Sequence, residues 1–167
     1  MAAQGPIEPP ALLAFGGVWA DYEEQLYECF LATFARADVR FLGTRVSAQR
    51  HPETNGKGYS FWHVISEAPD RENRNEDDRI PNMRRCERIR WIAWVIEHAG
   101  EEGFPWWEQT RGRDTRVVIW ARNHDFAVVI AQRSGFYVLK TAFAELQPHR
   151  RRTYERELEQ FLKGQKG

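Results

Sequence analysis

The sequence predicts an α+β domain built on a single antiparallel sheet of four or more strands, with helices packed on one face. Three observations predict it. Three apolar runs, Arg116–Ala121, Phe126–Gln132 and Phe136–Phe143, follow one another across links of turn length, Arg122-Asn123-His124-Asp125 and Arg133-Ser134-Gly135. Such links join antiparallel neighbours and are too short for a parallel crossover. The helical stretches stand before and after this block and do not alternate regularly with strands, which disfavours a doubly wound parallel sheet. The chain has 167 residues, 42% hydrophobic and 13% aromatic, which suits one core and one domain.

Each element follows from local pattern. Residues 1–18 hold Pro6, Pro9, Pro10 and Gly16-Gly17 and read as a flexible leader to a single domain over 19–167. From Ala20 to Arg36, Leu26, Tyr27, Phe30, Leu31 and Phe34 recur at helical spacing, with Asp21, Glu23 and Glu24 near the positive end of the helix dipole. Val39–Val46 reads as a strand, 47–58 as a polar loop, and the aromatic, β-branched run Tyr59–Ser66 as a second strand. Glu67–Arg79 is almost wholly polar and reads as an exposed loop. Pro81–Ala99 is the clearest helix, with Cys86, Ile89, Ile92, Val95 and Ile96 on its apolar face and Gly100 where a C-cap belongs. A connector holding Trp106 and Trp107 leads to the three strands. A last helix, Arg151–Lys163, presents Tyr154, Leu158, Phe161 and Leu162.

Composition excludes several classes. No stretch approaches the ~20 apolar residues of a membrane span. The first ten residues lack the basic and apolar regions of a secretory signal, so a cytoplasmic location is expected. Cys29 and Cys86 stand alone and predict neither a disulfide framework nor a zinc site. Formal charge is zero, from 24 bases and 24 acids, which argues against a uniformly basic surface. The balance is uneven: residues 1–48 carry a net −3 and residues 111–152 a net +6, and Arg outnumbers Lys by 20 to 4. Guanidinium forks grip phosphate or carboxylate in two bonds, so a local site for an anion fits.

Two segments carry candidate chemistry. In Arg50–Val64, a loop with two glycines and Lys57 feeds an apolar run in which His63 is the polar member. Arg50, His51, Lys57 and Tyr59 arrive at the same sheet edge. In Phe136–Phe143 an apolar strand is interrupted by Lys140 and Thr141, a cation and a hydroxyl suited to a phosphate. Preceding strands add Arg116 and Arg122. Glu76-Asp77-Asp78 reads as a solvated charge run, and the five histidines lack metal-ligand spacing.

Together the basic loop leading to FWHVISE (61–67), the run RRCERIRWIAWVI (84–96), RVVIW (116–120) and YVLKTAF (137–143) resemble a phage- and toxin-associated branch of one ribonuclease superfamily. That superfamily is named for barnase, EndoU, colicin and RelE ribonucleases. The resemblance covers roughly residues 20–145 and implies N-terminal helices on a four-stranded antiparallel sheet. It implies a metal-independent endoribonuclease that needs no cofactor, because RNA supplies its own 2′-hydroxyl nucleophile. Carried over residue by residue, His63, Lys140, Thr141 and Arg116 fall in the catalytic places. Arg50, His51, Lys57, Tyr59 and Arg122 fall among those binding substrate. Glu67 is the nearest match to the glutamate base of some branches. RNA is the implied partner, with a cognate inhibitor or immunity protein beside it. A non-catalytic RNA- or protein-binding module and a nucleotide transferase stay open as rival classes.

Overall fold

Apolar spacing decides the outer helices. Tyr22, Leu26 and Phe30 recur every fourth residue and are buried along the first, and Tyr154 and Leu158 along the last. The structure is a computed structural model and describes residues 7–165. In chain order the elements are α1 (Trp19–Phe34), β1 (Arg40–Phe41), β2 (Thr44–Ala48), α2 (Tyr59–Ile65), β3 (Ser66–Glu67), β4 (Ile80–Pro81), α3 (Met83–Glu87), α4 (Trp91–Glu97), β5 (Trp106–Arg111), β6 (Asp114–Ala121), β7 (Phe126–Gln132), β8 (Tyr137–Ala144) and α5 (Pro148–Gln165). Single 3₁₀ turns lie at Glu76–Asp78 and Arg122–His124.

The fold is α+β, and its sheet corrects the expected one in two ways. The meander β5 to β8 is antiparallel, as the short links require. Its far edge, β8, then takes β2 as a parallel neighbour, giving the order β1-β2-β8-β7-β6-β5 in a mixed sheet of six strands. A parallel pair needs a long crossover, and everything between α2 and β7 serves as one. β3 and β4 form a separate two-stranded ribbon. Helices also lie on both faces. Val117, Ile119 and Ala121 of β6 point into a core shared with α1, α2, α3 and α4, whereas Val118 and Trp120 point into a second core with Tyr154 and Leu158 of α5. The sign was in the sequence: Val117–Ala121 and Phe126–Ala131 are continuous apolar runs, the mark of strands covered twice.

Five other expectations are corrected. Val39–Val46 is not one strand but the antiparallel pair β1–β2, which turns at Leu42-Gly43, and the connector holding Trp106 and Trp107 is strand β5. Tyr59–Ser66 is helix α2, not a strand: Phe61, Val64 and Ile65 fit a helical stripe as well as an alternating one, and all three are fully buried. Pro81–Ala99 is two helices, not one. Pro81 ends the ribbon, the Asn82 side chain accepts the Arg85 backbone N–H at 3.1 Å to start α3, and a turn at 88–90 separates α4. Ile89, Ile92, Val95 and Ile96 are nonetheless buried together. Glu67–Arg79 is the link between the two strands of the ribbon and holds a 3₁₀ turn as well as loop.

Residues 7–18, within the expected leader, are irregular but tied down; residues 1–6 lie outside the described residues. The Trp91 indole donates to the Pro10 carbonyl at 2.8 Å, the Tyr22 hydroxyl to the Leu13 carbonyl at 2.6 Å, and the Leu13 N–H to the Glu87 carbonyl at 2.9 Å. Trp107 is buried under α5 against Tyr154, and Trp106 packs on Phe41 and Phe161. The tryptophan pair is therefore packing material. No helix among the described residues is long and apolar enough to cross a membrane.

Candidate active site

The site forms where the sheet parts. β2 runs beside β8 only as far as Ala48 opposite Leu139, and α2 then takes its place along β8. The fully buried Ser60 hydroxyl closes the junction: it accepts the Gln49 backbone N–H at 2.6 Å and donates to the Leu139 carbonyl at 2.6 Å. Immediately beyond, β8 bulges. Leu139 pairs with Ile130 and Thr141 with Val129, so Lys140 is the extra residue of the strand.

The bulge separates the two polar residues of this strand. Lys140 is half-buried; its ammonium lies 5.0 Å from the centre of the Tyr59 ring and donates to Gln49 Oε1 at 2.9 Å. The Thr141 hydroxyl instead donates to the His63 carbonyl at 2.8 Å. One residue thus presents a charge, and the other holds the backbone of α2.

His63 stands one turn after Tyr59, and the two rings stack with centroids 3.8 Å apart and planes at 21°. Its Nε2 lies 2.9 and 3.0 Å from the two carboxylate oxygens of Glu76. An ionised carboxylate only accepts, so Nε2 carries the proton and a neutral ring presents its lone pair at Nδ1. The segment bearing Glu76 is folded by its own polar side chains. Asp70 accepts the N–H groups of Glu72 and Asn73, and Asn75 accepts that of Asp77. Arg79 is anchored through its Nε to the Ser66 hydroxyl at 2.9 Å. Tyr59, His63, Glu76 and Arg79, with Arg71 and Arg74, line a cleft of about 440 Å³.

Burial pushes His63 below the ordinary histidine range, and the Arg79 and Lys140 charges add to this, while the Glu76 bond and charge pull it back up. Burial likewise lowers Lys140, helped by Arg116 and Arg133. Tyr59 is raised, by burial first and then by Glu76. Burial therefore favours the neutral imidazole and makes the nearby Lys140 ammonium a stronger acid than an exposed one.

Among the residues expected from the sequence, the fold brings together His63, Tyr59, Lys140 and Thr141. Arg116 stands on β6 in one row with Ala131 and Val138. It contacts Asp114 at 3.4 Å, and its charge reaches both Tyr59 and Lys140. The rest go elsewhere. Lys57 is buried, its ammonium held by Glu23 at 3.0 Å and Glu24 at 2.9 Å. Arg50 is exposed and pairs with Glu53 at 3.0 Å. His51 is exposed and offers its carbonyl to Gln49. Arg122 pairs with Glu155 and covers Trp120, on the α5 side. Glu67 lies 3.5 Å from Arg85 and does not meet His63. Sequence reasoning missed Glu76 and Arg79, whose spacing carries no signal until the ribbon β3–β4 folds their loop back, and Gln49, which follows β2 directly.

Among the described residues, no group of three or more His, Cys, Asp or Glu is placed to hold a metal ion. Compared with protein-family models, curated proteins and solved structures, the chain matches none of them. The geometry itself offers a base with a fixed tautomer, two or three cations and an open cleft. That set suits proton transfer and charge stabilisation at a phosphoryl centre.

Proposed function

We propose that the chain is a metal-independent endoribonuclease. One observation carries the reading: His63 is held at Nε2 by Glu76 and stacked on Tyr59 in the wall of a cleft that Arg71, Arg74 and Arg79 also line, with Lys140 near enough for its charge to act on the ring. His63 Nδ1 takes the proton of a ribose 2′-hydroxyl. That oxygen attacks the adjacent phosphorus and forms the new P–O bond. Arg79 and Arg116 oppose the negative charge that grows on the phosphoryl oxygens. In-line displacement puts the leaving oxygen opposite the attacking one, so acid and base are two groups. Lys140, acidified by burial, gives its proton to the departing 5′-oxygen as the old P–O bond breaks. The products are a 2′,3′-cyclic phosphate and a 5′-hydroxyl end. The resemblance of FWHVISE and YVLKTAF to the phage and toxin branch supports RNA as substrate, a cytoplasmic site of action and a cognate inhibitor as partner.

The test is a labelled single-stranded RNA incubated with purified protein in EDTA. Cleavage to cyclic-phosphate ends is expected, with no cleavage of the 2′-O-methyl analogue. His63→Ala should lose about 10²–10⁴-fold in rate, the usual worth of a positioned base. Equal cleavage by His63→Ala would place the chemistry elsewhere. Binding without cleavage would leave a non-catalytic RNA-binding module on this fold.

A further inference from the structure

Arg85, on α3, is 7% exposed and its ion pair is a long one. Its nearest carboxylate, Glu67, is 3.5 Å away and half exposed, and its Nε is buried with no hydrogen-bond partner. Its guanidinium packs 5.0 Å from the centre of the Phe143 ring, which also carries Arg150 at 4.2 Å. A buried cation so poorly paired is a weak source of stability, and an apolar side chain of the same volume would fill the space at less cost. What Arg85 does hold is the end of α2. Its Nη1 donates to the Ser66 carbonyl at 2.8 Å and reaches the His63 carbonyl at 3.5 Å. These are carbonyls that the end of a helix leaves without donors. The Ser66 carbonyl also accepts from Arg79, and the His63 carbonyl from Thr141. One guanidinium thus ties together the backbone beneath the imidazole, the anchor of Arg79 and the bulged strand β8.

We propose that Arg85 is a positioning residue for His63, acting from beneath through the backbone of α2 and never touching the substrate. This rests on the ribonuclease reading for its kinetic arm alone. Without Arg85 the last turn of α2 loosens, and the imidazole no longer keeps Nε2 on Glu76. A displacement of this kind, remote from the reacting atoms, is worth about 10²-fold in rate.

The experiment compares wild type, Arg85→Met and Arg85→Lys by two readouts. The first is the ¹⁵N spectrum of the His63 ring, which reports the tautomer and needs no substrate. Wild type should show Nε2–H alone, and Arg85→Met a mixture. The second is cleavage of the single-stranded RNA oligonucleotide in EDTA. In Arg85→Met kcat should fall about 10²-fold with KM within about twofold. Arg85→Lys, which keeps the charge and loses the fork, should retain the melting temperature while only partly restoring kcat. If Arg85→Met fails to fold, Arg85→Lys carries both readouts. An unchanged tautomer with unchanged kcat in a folded variant overturns the proposal, as does a rise in KM at constant kcat, which would mean direct contact with RNA. A shifted tautomer in a protein that cleaves no RNA upholds the positioning role and overturns the ribonuclease reading instead.

Discussion

At the scale of single residues, His63 and Glu76 make a pH prediction with a definite sign. The base works when neutral, so kcat/KM should rise with pH through a value below the ordinary histidine range of about 6.5. Glu76 pulls that value up, so Glu76→Gln should move the limb to lower pH while it slows the reaction by loosening the ring. Stability follows the same titration. A histidine lowered in the folded state contributes fully above its ordinary value, and its contribution is lost as pH falls through the folded value. Urea melts of His63→Gln between pH 7 and 5 should be correspondingly flatter than wild type. Lys140 and Thr141 should part company. Lys140→Ala should lower cleavage about 10²-fold with little change in melting temperature, as loss of a positioned general acid does. Thr141→Ala removes a hydrogen bond to the His63 carbonyl and should cost about 1 kcal/mol in denaturant melts besides slowing cleavage. Lys57→Met should destabilise the fold and leave the affinity for RNA unchanged, because that ammonium belongs to α1. His63 and Lys140 were legible because each interrupts an apolar run, and Tyr59 because it stands where the basic loop meets one. Glu76 was not: its partner lies 13 residues away, and nothing local distinguishes it from the solvated acids beside it.

At the scale of elements, the outer helices and strands β6, β7 and β8 were legible, whereas β5, expected as a connector, and α2 were not. Seven residues of aromatic and β-branched type satisfy both periods, and only tertiary context chooses between them. Here the choice falls to Ser60. On a strand it would be an ordinary polar residue; on α2 its hydroxyl completes the hydrogen bonding of β2 and β8 where their ladder stops. Ser60→Ala leaves a buried N–H at Gln49 and a carbonyl at Leu139 short of a partner, at a cost of about 1–3 kcal/mol in urea melts. The split of the central helix into α3 and α4 was hidden for a similar reason. The apolar face runs through both pieces, and the turn between them is marked by neither Gly nor Pro.

At the scale of the whole molecule, the sheet is insulated on one face by α1, α2, α3 and α4 and on the other by α5. Ile92 is 1% exposed in the larger core, and Ile92→Ala should cost about 2–5 kcal/mol, read by denaturant melts. The α+β class was legible from the link lengths. The parallel β2–β8 pair was not, since a contact across so much chain leaves no mark on either strand. That pairing has a temporal meaning. Ser60 and Leu139 are 79 residues apart, so at ordinary synthesis rates the second emerges roughly 4–16 s after the first. Throughout that interval the imidazole and the ammonium belong to separate stretches of nascent chain. For a chain that cleaves RNA, the delay keeps the catalytic groups unassembled while the polypeptide is still being threaded out of the ribosome, itself an RNA machine.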